Sequence, residues 1–173
     1  MIPTRSVLFS LIVPALFSVA GAGDSWPGFR GPRFDGSSEA TGLPVMISRN
    51  DHVKWKVNLK GLGSSTPVVW GGSLFVTAES PGDDGVVAIK VDVETGEIEW
   101  TRPVCTKRRN DRRSSMAGPS PATDGERVLF VSGGGEIACF DFSGTLSWRK
   151  NLEEEYGDFS LKWTYSSSPV IFE

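Results

Sequence analysis

"GSSTPVVWGGSLFVTAES" (Gly63–Ser80) decides how this chain is read, because the chain begins nearly the same sentence twice more. The second copy is "GPSPATDGERVLFVSGGG" (Gly118–Gly135) and the third is "YSSSPVIFE" (Tyr165–Glu173). Pro67, Pro121 and Pro169 of these copies stand 54 and 48 residues apart, and Trp55, Trp100 and Trp148 stand 45 and 48 apart. The longer gap accommodates an insertion around "CTKRRNDRRSSM" (Cys105–Met116). Self-similarity at a period in the forties marks a repeat architecture.

Each unit reads as four short strands. The first runs "STPVVW", turn "GG", "SLFVTAE", turn "SPGDDG", "VVAIKVDV", turn "ETG", "EIEWTRPV". The second runs "SPAT", turn "DGE", "RVLFVSG", turn "GG", "EIACFDF", turn "SG", "TLSWRKNL". Val, Ile, Phe and Trp fill the strands, and glycine stands in the turns where a positive φ is wanted. "VVAIKVDV" is too continuously apolar for a sheet with one wet face, so both faces are expected to be covered. No helical periodicity longer than about two turns occurs beyond the first two dozen residues. The fold class is therefore all-β: four-stranded antiparallel blades, radially repeated as a β-propeller, each stable only against its neighbours.

"VDVETGEIEW" and "CFDFSGTLSW", with "SSTPVV", "PSPAT" and "SSSPVI", resemble the pyrroloquinoline-quinone (PQQ)-type repeat of quinoprotein dehydrogenases and their non-enzymatic relatives. In that pattern an aspartate leads a short turn ending in Thr-Gly, and Trp follows four residues later, as it does after Gly96 and Gly144. "SWPGFRGPRFDG" (Ser25–Gly36) is similar to the lead-in of large exported bacterial propellers of this kind. The second unit departs by one residue, "DFSG" against "DVETG". The resemblance implies about eight blades in the full-length protein. Only two to three are expected here: a lone last strand ending at "VKWKVNL", blades at about 64–104 and 118–152, and a third beginning at about 165. The missing blades are expected from a longer chain. A short ring closed by several copies through heterologous contacts is the other arrangement.

The N-terminus reads as a processing signal. Arg5, an apolar run from Val7 to Ala20 and "AGA" at 20–22 describe a secretory signal peptide over residues 1–22. About fourteen apolar residues interrupted by Pro14 fall short of the roughly 20 that a transmembrane span needs. A lead-in at 23–52 then precedes the partial propeller at 53–173. The expected location is exported, periplasmic or extracellular. Removing residues 1–22 leaves 17 basic against 21 acidic side chains, a formal charge of −4, which argues against nucleic acid as a partner. Cys105 and Cys139 lie 34 residues apart. Cys139, in an apolar run, reads as a core residue and Cys105 as exposed, and spacing alone does not decide a disulfide.

Chemistry is sparse. The resemblance implies that an enzyme of this kind stacks its quinone on a pair of adjacent cysteines, holds calcium with Glu, Asn and Asp, and uses an Asp as base. Adjacent cysteines are absent, and Asp92, Glu94 and Asp141 occupy turn-leading positions that the repeat itself explains. "GDDG" (Gly82–Gly85) lacks the ligand spacing of a calcium loop and reads as a turn. "SGGGE" (Ser132–Glu136) reads as a hairpin. His52 is the sole histidine, which excludes a His-based triad or a multi-histidine zinc site from this chain. No catalytic, cofactor-binding or metal-binding residue is assigned. One feature escapes the repeat: Lys107, Arg108, Arg109, Arg112 and Arg113, five cations in seven residues, on an inserted loop. Such a loop is either a solvated connection or a contact for an acidic partner. The reading is a non-catalytic binding or assembly scaffold with a protein or polymer partner on the propeller face and no cofactor evident. The alternative is the opening part of a PQQ- and calcium-dependent alcohol or sugar dehydrogenase.

Overall fold

A computed structural model of the chain describes residues 25–80, 85–106, 114–159 and 162–172. The expected signal peptide, most of "GDDG" and the five cations of the inserted loop lie outside them. The first sheet comprises β1 (Val68–Trp70), β2 (Ser73–Glu79), β3 (Val86–Asp92) and β4 (Ile98–Cys105). The second comprises β5 (Ala122–Thr123), β6 (Arg127–Val131), β7 (Glu136–Asp141) and β8 (Leu146–Asn151). Both are antiparallel meanders in chain order, and the one short helix among the described residues is α1 (Leu152–Tyr156).

The turns explain the meander. Gly71, Gly96, Gly125, Gly135 and Gly144 all have positive φ and all sit between paired strands, where the chain must reverse tightly. The last hairpin of each blade is also irregular at the same place. Lys90 opposes Trp100 while Val91 opposes Ile98, and Cys139 opposes Trp148 while Phe140 opposes Leu146. One extra residue, Glu99 or Ser147, is thus inserted just before each tryptophan. A bulge of this sort bends and re-aims the strand, here at the position from which the indole leaves the sheet.

Two faces of the first blade are covered, as its continuous apolar strands require. One carries Val76, Ala78, Ile89 and Val91 against Trp55 and Leu59. The other carries Val68, Phe75, Ala88, Trp100 and Val104 against Val128, Phe130, Ala138 and Phe140 of the second blade. Phe75, Phe130 and Phe140 are fully buried, and burial of each contributes about 1.5–3 kcal/mol. Their rings meet Trp100 at centroid distances of 6.0–6.3 Å, Phe130 edge-on and the other two tilted. Cys105 and Cys139 are both buried and no disulfide joins them. Cys105, expected outside, lies in the inter-blade core because the end of β4 turns inward beside Val104.

Two expected strands are not strands. "VKWKVNL" runs alongside the first blade without a ladder, and so does the segment 165–172 beside the second. The propensity is present in both segments, but a strand exists only where a neighbour answers its N–H and C=O groups. Eight strands are therefore found among the described residues, against the ten expected.

Candidate functional site

Two recurring contacts join one unit to the next, and neither is visible in a single unit. The first is the seat of the tryptophan. Trp55 donates its indole N–H to the Val93 carbonyl at 2.8 Å, and Trp100 donates to the Phe142 carbonyl at 3.0 Å. Each acceptor belongs to the β3–β4 or β7–β8 turn of the following blade. A Cβ on Gly96 would lie 2.6 Å from the Trp55 ring, and one on Gly144 would lie 3.1 Å from the Trp100 ring. The turn glycine therefore serves two ends: it adopts φ of +75° or +84°, and it presents bare backbone on which the preceding indole rests. Arg102 closes the second seat by donating Nε–H to the Gly144 carbonyl at 3.0 Å.

The second contact explains the Ser/Thr-Pro words. The Thr66 N–H donates to Ser120 Oγ at 2.8 Å, and the Ser120 N–H donates to Ser168 Oγ at 2.9 Å. These residues precede Pro67, Pro121 and Pro169. Proline holds the residue before it extended, so each amide points at the hydroxyl of the equivalent residue one unit on. Ser120 is 1% exposed, and its hydroxyl relays the ladder from one blade to the next.

The turn-leading carboxylates hold their own turns. Asp92 accepts from the Thr95 N–H at 2.7 Å and the Glu94 N–H at 2.9 Å, and the Thr95 bonds keep its carboxyl below the usual range. Asp141 is likewise lowered, first by the Ser143 hydroxyl at 2.6 Å and then by the Thr145 N–H at 2.9 Å. At Asp124 partial burial pushes upward, but the Arg127 and Glu126 N–H groups and the Arg127 guanidinium outweigh it. Burial raises the Cys139 thiol, the opposite of what a reactive thiolate needs.

The inserted basic loop is described only at its two ends. Thr106 follows β4, and Ser114–Met116 lead back toward β5. The returning end is clamped from both sides. Glu79, at the end of β2, accepts from Ser115 Oγ at 2.9 Å and from the Met116 N–H at 3.0 Å. Thr164 donates its N–H to Ser114 Oγ at 3.2 Å and its hydroxyl to the Ser115 carbonyl at 3.3 Å. "TAES" gives no warning of this use of Glu79, since its partners come from the returning end of the inserted loop.

The cysteines and the turn-leading carboxylates stand apart from one another among the described residues. The two cysteines belong to different blades and both are buried, and Asp92, Asp124 and Asp141 are engaged by turn amides. Among the described residues no three His, Cys, Asp or Glu side chains converge to hold a metal ion, and no helix among them is long and apolar enough to cross a membrane.

No family model and no curated protein matches the chain. Solved structures do. Quinohemoprotein alcohol dehydrogenase from Comamonas testosteroni is similar at a TM-score of 0.61 and 20% identity, over 90% of this chain and 23% of that one. BamB from Moraxella catarrhalis is similar at 0.42 and 20%, over 57% of this chain and 26% of its own. A europium-containing methanol dehydrogenase is similar at 0.45 and 15%, over 65% and 19% respectively. This chain thus spans about a quarter of the first of these structures. With two four-stranded meanders in chain order and Trp100 of the first seated on the second, the chain has the fold of that part of the alcohol dehydrogenase, two blades of a β-propeller.

Proposed function

We propose that this part of a propeller acts as a non-catalytic binding or assembly scaffold in an exported protein. Its partner, a protein or polymer, meets the face that bears Lys107, Arg108, Arg109, Arg112 and Arg113. The observation that carries the reading is the engagement of the turn-leading carboxylates. Asp92, Asp124 and Asp141 accept hydrogen bonds from their own turns, so the repeat's acidic residues serve the frame. The inserted loop is the feature that the sequence repeat does not explain, and loops on a rigid scaffold carry function more often than the scaffold does. The two-sided clamp on Ser114–Met116 gives that loop a fixed root. Further blades, from a longer chain or from another copy, supply the turn that Trp148 would rest on.

Two measurements on the full-length protein test this. Polyglutamate should bind at low salt, where charge attraction is least screened, and the joint Arg108→Ala, Arg109→Ala, Arg112→Ala and Arg113→Ala variant should bind it more weakly. Unchanged affinity removes the basic face from the proposal. Added pyrroloquinoline quinone and calcium should give no dye-linked oxidation of alcohols, and sustained quinone-dependent turnover would overturn the scaffold reading in favour of the dehydrogenase.

A further inference from the structure

The lead-in "SWPGFRGPRFDG" is not part of the repeat, yet it is tied to both blades. Trp26 and Val69 exchange backbone hydrogen bonds at 2.7 and 3.0 Å on the inner edge of β1, and the Pro27 carbonyl accepts from the Thr123 N–H at 2.9 Å. The chain then folds back on itself. Gly31 N–H donates to the Gly28 carbonyl and Gly36 N–H to the Arg30 carbonyl, both at 3.0 Å. The Trp26 ring lies so close to Gly31 that a Cβ there would be 2.8 Å away.

This fold-back closes one side of a cavity of about 360 Å³, whose other sides are Trp70, the β5–β6 turn and Ser168–Ile171. Three aromatic side chains line it: Phe29, Phe34 and Trp70. Trp70 is fixed by its seat on Gly125, where a Cβ would lie 2.5 Å from the ring. Phe29 and Phe34 are 56% and 55% exposed. Phe34 also holds φ at +58°, a left-handed backbone that is costly for a bulky side chain and tends to persist at binding sites.

The charges are equally uneven. Asp124, in the cavity wall, is answered by Arg127 at 2.8 Å. Arg30, also in the wall, donates Nη2–H to the Asp35 carbonyl at 3.1 Å, and it makes no ion pair among the described residues. One positive charge is left facing an apolar, ring-lined space. Sites of this volume with a few fixed polar groups hold small molecules.

We propose that the cavity binds a planar aromatic molecule carrying a single carboxylate, its ring among Phe29, Phe34 and Trp70 and its carboxylate on Arg30. The face-and-edge preferences of aromatic rings orient the ligand, and the charge-assisted guanidinium bond selects the acid. The site lies at the opposite end of the strands from the two described roots of the inserted loop, Thr106 and Ser114, and it does not rest on the scaffold reading.

Titration of the full chain with naphthoate, followed through the Trp70 indole N–H resonance, tests the assignment. Naphthoate should give a saturable shift and bind about tenfold more tightly than naphthalenemethanol, its neutral analogue. The dicarboxylate should bind no more tightly, because one cation is available. Arg30→Gln should erase the advantage of the acid. Phe34→Gly relieves the left-handed strain and so retains the fold, checked by an undiminished Tm, while it weakens naphthoate binding. The proposal fails if naphthoate produces no saturable shift, if the neutral analogue binds equally well, or if Phe34→Gly leaves the affinity unchanged.

Discussion

Trp100 and Trp148 occupy the same place in two copies of one unit and live in different worlds. Trp100 is 7% exposed, packed among three phenylalanines and resting on the next blade's glycine turn. Trp148 is 40% exposed, with no such turn over it among the described residues. The strand around each is built alike, with the same bulge and the same four-residue spacing from the turn glycine. What differs is the neighbour. The repeat therefore encodes a joint between units more than it encodes a unit, and a tryptophan contributes to stability only when the following copy receives it.

That contrast can be broken most directly by deletion of the two indoles. Trp100→Ala should lower unfolding stability by about 3–5 kcal/mol, since it empties a packed space between blades. In this chain by itself, where no described turn covers the ring, Trp148→Ala should cost no more than about 1 kcal/mol, and with further blades present the two losses should converge. Equal losses in chemical denaturation would show that the receiving turn is irrelevant. A finer version uses the hydroxyl ladder. Ser120→Ala leaves the Thr66 N–H without its acceptor in a buried place, at a cost of about 1–3 kcal/mol. Ser168→Ala, at the half-buried outer end, should cost less, because water can replace the lost hydroxyl.

The smallest expected effect is acid sensitivity. The carboxyls of Asp92, Asp124 and Asp141 are lowered in the folded chain. Their contribution is thus complete above the unfolded-state range near about pH 4 and is lost as pH falls through the lowered folded values. Asp141→Asn should flatten the decline of Tm below about pH 4, and a decline as steep as the parent's would remove Asp141 from the account.

Much of the frame was legible because its signals are local. "GG", "TG", "DG" and "SG" fix the reversals and the apolar runs between them mark the strands, although the first strand of each blade is shorter than read, Val68–Trp70 and Ala122–Thr123. What escaped depends on partners distant in sequence. Gly96 looked like a turn residue alone, and nothing nearby reveals that it also seats Trp55. Nothing beside Ser120 or Ser168 in sequence reveals that their hydroxyls receive the amides of Thr66 and Ser120, 54 and 48 residues away. The extended segments around Trp55 and Val170 carry strand composition without a ladder to complete them. Cys105 reads as exposed because a charged run follows it in sequence, whereas in space it joins the apolar cluster between the blades. Phe29 and Phe34 drew attention only as part of a resemblance, and their gathering beside Trp70 required the fold-back of the lead-in.

The forward seating of the indoles also gives the molecule a polarity. Trp55 reaches into the first blade's turn and Trp100 into the second's, so every unit has a plug on one side and a socket on the other. Bodies joined in that head-to-tail way have two symmetrical fates: they bend round until the last plug finds the first socket, or they add copies without limit. Curvature, set by the wedge of side chains between neighbouring sheets, chooses between them. A single large-to-small change at Phe75 or Phe130, both buried between the sheets, would thus loosen the wedge that sets the angle between one unit and the next.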